Sequence, residues 1–141
     1  MKALLAAFFM LFGISGRLNR TKYWVGIAIT VLLLMPTSVA LRDARPPQNP
    51  LEVVSLVLGY WAWSAILIKR LHDFNWSGWW WCLIGGFPVF ALVRVSQVVL
   101  SLELIRVGLI FLAGIIIILI VGAANGTVGP NKYGPDPRGS S

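Results

Sequence analysis

The chain has 141 residues, 57% of them hydrophobic and only 12% charged, with a mean hydropathy of +0.79. Soluble domains carry about 25% charged residues, and a small soluble fold leaves too much surface exposed to hide this much apolar area. That excludes an ordinary soluble domain and implies an integral membrane protein forming one compact unit, in which the net charge of +7 belongs to flanks of membrane spans rather than to a nucleic-acid groove, since no Lys/Arg run with interleaved aromatics is present.

In chain order, residues 3–14 are apolar but fall short of the ~20 residues a span needs. Lys2 precedes them as in a signal peptide, yet Ser15-Gly16-Arg17 offers no small-x-small cleavage site. A retained interfacial helix is expected there. Residues 23–41 form the first predicted span, entered through Tyr23 and Trp24 and containing Pro36 as a potential kink. Residues 42–50, RDARPPQNP, make a polar turn.

Residues 51–68 form the second predicted span, with Glu52 at its edge and Gly59, Ala62 and Ser64 small enough for close helix packing. Lys69 and Arg70 stop it. The segment from Trp79 to Arg106 admits two arrangements. Either a third span runs over residues 79–100, kinked at Pro88 with Arg94 snorkelling, or residues 79–93 span and the next dozen lie in the far interface. Residues 107–124 form the last span, and residues 125–141 a Gly/Pro-rich tail with neither helix nor sheet. The expected fold is therefore an all-α membrane protein: about four transmembrane helices, a short N-terminal interfacial helix and a Gly/Pro-rich tail.

Four spans put both termini on one side of the membrane. That side holds Lys2, Arg17, Arg20, Lys22, Lys69, Arg70, Lys132 and Arg138, and the other holds Arg42, Arg45, Arg94 and Arg106. The bias favours both termini in the cytoplasm.

Three stretches could carry chemistry. KRLHDFNWSGWWW, residues 69–81, holds His72, the only histidine. Its functional reading pairs His72 with Asp73 as acid and base, with Ser77 as nucleophile. Adjacent residues do not face each other on a helix and point to opposite faces of a strand, so His72 would need another carboxylate. One histidine, one cysteine (Cys82) and few carboxylates do not make a zinc site. The structural reading accounts for more residues: Ser77 caps the next helix, Trp76 and Trp81 staple it, and Trp79 to Trp81 anchor it at the interface. In SGRLNRTKYW, residues 15–24, Asn19 can cap the following helix. Arg17, Arg20 and Lys22 are either a positive flank or a small pocket for lipid phosphate. GTVGPNKYGPDP, residues 126–137, is a run of turns that packs back on the loops. Its Gly-x-x-Gly spacing precedes no helix and is a weak phosphate signal.

In this order, the three stretches resemble the bacterial inner-membrane family known as domain of unknown function 805. The resemblance rests on Gly16-Arg17 with Arg20 and Tyr23-Trp24, and on Arg70-Leu71-His72-Asp73 with Ser77-Gly78-Trp79-Trp80. Pro88 follows, then Gly126, Gly129, Asn131 and Tyr133-Gly134-Pro135-Asp136-Pro137. It covers nearly the whole chain. Lys69 replaces the family's usual arginine, Lys22 stands where an acid is common, and Trp76 stands where a basic or polar residue is common.

The resemblance implies a helical inner-membrane protein and gives no activity. In the four-span arrangement all three stretches fall on one face. A binding cluster of Arg17, Arg20, Arg70, His72, Asp73, Asn131, Tyr133 and Asp136 is expected there, with Asp73 paired to Arg17 or Arg20 under the tail. The leading expectation is a non-enzymatic multi-pass protein of the bacterial inner (plasma) membrane that binds a partner protein or lipid headgroups through this cytoplasmic cluster. The expected partners are membrane lipids, a partner membrane protein or a second copy, with no nucleic acid, cofactor or metal. The alternatives are a membrane enzyme using His72, with Asp73, as acid/base on a lipid-linked or phosphorylated substrate, and a transporter or channel subunit.

Overall fold

The computed structural model describes residues 2–42, 46–82 and 101–139. Among them are four helices: α1 (Lys2–Phe12), α2 (Arg20–Arg42), α3 (Pro50–Asp73) and α4 (Ser101–Ala123). No strand occurs among the described residues; the tail contributes a single bridge between Asn131 and Gly134. Most of the expected third span, with Pro88 and Arg94, lies outside the described residues. So does the alternative interfacial helix up to residue 100. Within the described residues α4 covers Ser101–Ala123, so helix is already present six residues before the apolar run that predicted it, over a stretch whose Leu102, Glu103, Leu104 and Arg106 are good helix formers.

Local signals explain the helix boundaries. Asn19 opens α2: its side-chain oxygen accepts the N–H of Lys22 at 3.0 Å and its carbonyl that of Tyr23 at 3.0 Å. Asn49 opens α3 by accepting the Glu52 N–H at 2.8 Å, with Pro50 at a position that has no helical donor to lose. The Glu52 carboxylate reaches back to the Gln48 N–H at 2.9 Å. This is a variant of the capping box, and Glu52 is buried rather than at an open edge.

α3 continues past its charged stop to Asp73 because Lys69, Arg70 and Asp73 are buried and paired. It then ends on a Schellman motif. The Asn75 N–H bonds the His72 carbonyl and the Trp76 N–H the Leu71 carbonyl, both at 3.0 Å, with Asn75 at φ 62°. Asparagine tolerates this left-handed position better than most residues.

α2 and α3 form an antiparallel hairpin. Gly26 of α2 lies against Ile66, and Gly59 of α3 against Leu34; an added Cβ would come within 2.8 Å and 2.4 Å of those side chains. Near the other end Thr37 donates to the Glu52 carbonyl at 3.0 Å and bonds the Ser55 hydroxyl. α1 lies against α3, and its Phe12 carbonyl accepts from Trp61 at 2.9 Å. α4 meets the bundle at its C-terminal end, where Gly122 sits under Tyr23 and Trp24 and the Tyr23 hydroxyl donates to the Ile118 carbonyl at 3.1 Å.

The core gathers at this same end: Leu18, Tyr23, Ile66 and Leu67, with Met10, Leu11, Ile27, Trp63, Trp81 and Ile118 packed on it. Elsewhere the helices turn aliphatic side chains outward. Leu32 is 63% exposed, Leu51 65% and Val57 60%. α3 is about 36 Å long at ~1.5 Å per residue, enough for the ~30 Å hydrocarbon core of a bilayer. Among the described residues α3 is the helix long and apolar enough to cross a membrane, and Leu112–Ala123 is a shorter apolar helix.

Candidate functional site

Three helix C-termini and one N-terminus meet at the polar end of the bundle. The last carbonyls of a helix have no partner within it and carry its negative pole. Each of the three is supplied with donors from elsewhere in the chain. For α1, the Lys69 ammonium donates to the Phe9 carbonyl at 3.1 Å and to the Met10 carbonyl.

For α4, Arg70 donates Nε to Val121 at 3.0 Å and Nη2 to Ala124 at 2.5 Å, while Arg20 donates to Ala123 at 3.0 Å. For α3, the tail does the work. The Asp73 carbonyl accepts the Thr127 N–H at 2.8 Å and the Thr127 hydroxyl at 2.9 Å. The His72 carbonyl accepts the Asn131 side-chain amide at 2.9 Å.

Asp73 sits at the centre. Its Oδ1 accepts Nε and Nη2 of Arg17 at 3.0 and 2.8 Å, a two-pronged contact suited to guanidinium geometry. Its Oδ2 accepts Nη1 of Arg70 at 2.6 Å. Arg70 and Asp73 are 1% and 2% exposed, so the pairing is what permits their burial. Arg17 also grips the tail through the Gly129 carbonyl and the Thr127 carbonyl, each at 2.6 Å. Gly126 is required for this closure: a Cβ there would fall 1.8 Å from Oδ2 of Asp73.

His72 faces away from that centre. Its Nδ1 lies 3.1 Å from the Gly16 carbonyl, and since a carbonyl only accepts, we assign the proton to Nδ1. The ring stacks on Tyr133 at 3.8 Å with 6° between planes. Asp73 serves the arginines and Ser77 Oγ meets the Trp79 N–H at 3.4 Å, so the three do not form a nucleophile–base–acid line. Among the described residues no group of three or more His, Cys, Asp or Glu could hold a metal. Trp76 lies against Trp80, with centroids 5.9 Å apart, and Trp81 packs on Tyr60; the staple expected between Trp76 and Trp81 is thus made with the neighbouring ring.

The structure therefore brings Arg17, Arg70, His72, Asp73, Asn131 and Tyr133 into one assembly. Arg20 joins at the end of α4. Asp136 lies one step outward, accepting the Gly129 N–H at 2.9 Å and the Arg138 guanidinium at 2.9 Å. Those hydrogen bonds, Arg138 first among them, hold its carboxyl well below the usual carboxylate range. Sequence reasoning missed Lys69 as the cap of α1, Thr127 as the cap of α3 and Arg138 as the partner of Asp136. The Arg138 spacing, two residues after an aspartate in a turn, was a usable signal; the other two act on backbone groups and left none. Beside the assembly lies a cavity of about 180 Å³ lined by residues of α2, α3 and the tail, including Arg20, Arg70 and Arg138.

Comparison with known proteins adds the following. Residues 11–135 match the family described as "Protein of unknown function (DUF805)". The chain is 26% identical over 131 residues to "Inner membrane protein YhaH" of Escherichia coli (strain K12), covering 89% of this chain and 88% of that protein. It is 30% identical over 140 residues to "Uncharacterized protein YiiR" of the same strain, covering 91% of this chain and 88% of that protein. No solved structure matches the chain.

Proposed function

The chain belongs to the DUF805 family of proteins of unknown function, and on that premise we propose that it is a multi-pass protein of the bacterial inner membrane that binds anionic lipid headgroups at its cytoplasmic end. The relative named for the inner membrane supports the location. The apolar lengths of the chain support four spans with both termini in the cytoplasm.

One observation carries the binding reading. Among the described residues, the polar end gathers Arg17, Arg20, Lys22, Lys69, Arg70, Lys132 and Arg138 against the carboxylates of Asp73 and Asp136. Three helix C-termini contribute roughly −0.5 charge each and one N-terminus roughly +0.5, which offsets only about one of the five surplus charges. Trp76, Trp79 and Trp80 flank the assembly at 52%, 81% and 50% exposure, as side chains of a membrane interface do. A basic end at that depth faces the anionic headgroups of the cytoplasmic leaflet, where each basic residue is worth about 1 kcal/mol.

The test is thermal unfolding of the purified protein in a neutral detergent with added phosphatidylglycerol or phosphatidylcholine. A ligand that binds only the folded state raises the midpoint. Phosphatidylglycerol is expected to raise it by several degrees, less so in high salt and less for Lys22→Gln with Lys132→Gln. Equal responses to the two lipids would sink the proposal.

A further inference from the structure

The cavity of about 180 Å³ at the start of α2 is lined by Asn19, Arg20, Thr21, Asn125, Gly126 and Arg138, with Arg70 and Asp73 behind them. Its donors outnumber its acceptors. Both oxygens of Asp73 are already taken, by Arg17 and by Arg70. Arg20 spends Nη1 on the Ala123 carbonyl, and its Nε and Nη2 make no hydrogen bond among the described residues. The same holds for Nη1 of Arg138, whose Nε and Nη2 hold Asp136 and Thr127.

The N-cap of α2 serves the N–H groups of Lys22 and Tyr23, leaving those of Arg20 and Thr21 for another acceptor. No acidic residue stands in the first turn of α2. The positive pole of the helix thus has no carboxylate in its own turn, and with Arg20 and Arg138 lining the same cavity an anion there would relieve the excess positive charge.

We infer that this cavity is a binding site for one phosphoryl group, clamped by Arg20 and Arg138 and seated on the N-terminus of α2. Guanidinium groups match phosphate oxygens two at a time. Thr21 and Asn125 add neutral donors, and buried Arg70 supplies fixed positive charge from the wall without giving up its own bonds. The volume is below the ~300–1,000 Å³ that encloses a drug-sized ligand. The phosphoryl group enters and whatever it is attached to stays outside. The site deepens the headgroup reading above and rests on it, and the shared chemistry is a phosphate monoester, on a lipid or on a small soluble metabolite.

The test titrates the full chain in neutral detergent with dioctanoyl phosphatidic acid, glycerol 3-phosphate, inorganic phosphate and dioctanoyl phosphatidylcholine, followed by calorimetry. Phosphatidic acid is expected to bind, and Arg20→Gln and Arg138→Gln each to weaken it at least tenfold. Because Arg20 also caps α4, Thr21→Val, which removes an exposed hydroxyl outside the hydrogen-bond network, is the variant that keeps the fold; a loss of about threefold is expected.

Phosphatidic acid binding without glycerol 3-phosphate binding supports the site with a lipid source, and equal binding of the two supports it with a soluble source. Wild-type affinity in folded Arg138→Gln and Thr21→Val overturns the site. So does the absence of phosphoryl binding in a protein whose melting still responds to phosphatidylglycerol, and that result leaves the broader headgroup reading standing. Absence of both responses removes both.

Discussion

Asp73 holds one negative charge between the guanidinium groups of Arg17 and Arg70 at distances of 2.6 to 3.0 Å. Burying three ionised groups is costly, and the network is tolerable because each charge has a partner. Replacing the carboxylate by an amide leaves two buried cations facing neutral oxygen and an N–H₂ group. Asp73→Asn is therefore expected to destabilise the fold by about 3–5 kcal/mol, the range for breaking a buried pair from one side. A fall in the melting temperature in detergent, together with faster proteolysis of the tail, would show it; an unchanged melting curve would mean that the tail and α2 are held by other contacts. The position of Gly126 sharpens the point, since even a methyl group there would displace the carboxylate.

At the scale of elements, α3 organises the polar end through the side chains of Lys69, Arg70, His72 and Asp73 and through the carbonyls of Lys69, His72 and Asp73 in its last turns. Its exit depends on Asn75 at φ 62°. Asn75→Gly is expected to be neutral, because glycine reaches this region freely. A β-branched Asn75→Val is expected to cost about 1–2 kcal/mol and to loosen the tail, which amide hydrogen exchange at Thr127 would report. Similar exchange in the two variants would show that the turn does not position the tail.

Much of this end was legible in the sequence. The apolar runs located α2, α3 and α4, Asn19 announced the start of α2, and the Arg17, Arg70–Asp73 and Asn131–Asp136 stretches pointed to residues that do meet. What was hidden is the partners: Lys69 and Thr127, and Arg20 and Asn131 of the expected cluster, bond backbone carbonyls, and a carbonyl carries no side-chain identity to be read. The stacking of Tyr133 on His72 was equally silent, since 60 residues of chain separate rings that only the closed tail brings together.

At the scale of the whole molecule, the assembly sits at one end and the aliphatic faces of α2, α3 and α4 cover the length below it. The proposed topology is checked by labelling single cysteines in a Cys82→Ser background, one at Ser140 and one at Pro47. Labelling of Ser140→Cys from the cytoplasm and of Pro47→Cys from outside is expected. The reverse would place the basic end in the periplasm, and labelling of both from one side would require an odd number of crossings.

The last turns of α3 also impose an order on the making of the molecule. Lys69 finds the carbonyls of α1 already synthesised, 60 residues behind it. Arg70 must wait for Val121 and Ala124, and the Asp73 carbonyl for Thr127, all of them about 50 residues further on. Until those residues are made, Arg70 has the Leu18 carbonyl and Asp73 as partners but lacks the carbonyls of α4, so it cannot settle fully into its buried seat. The polar end therefore closes only after the chain from α1 through Thr127 has been made, and it joins residues from both ends of that stretch.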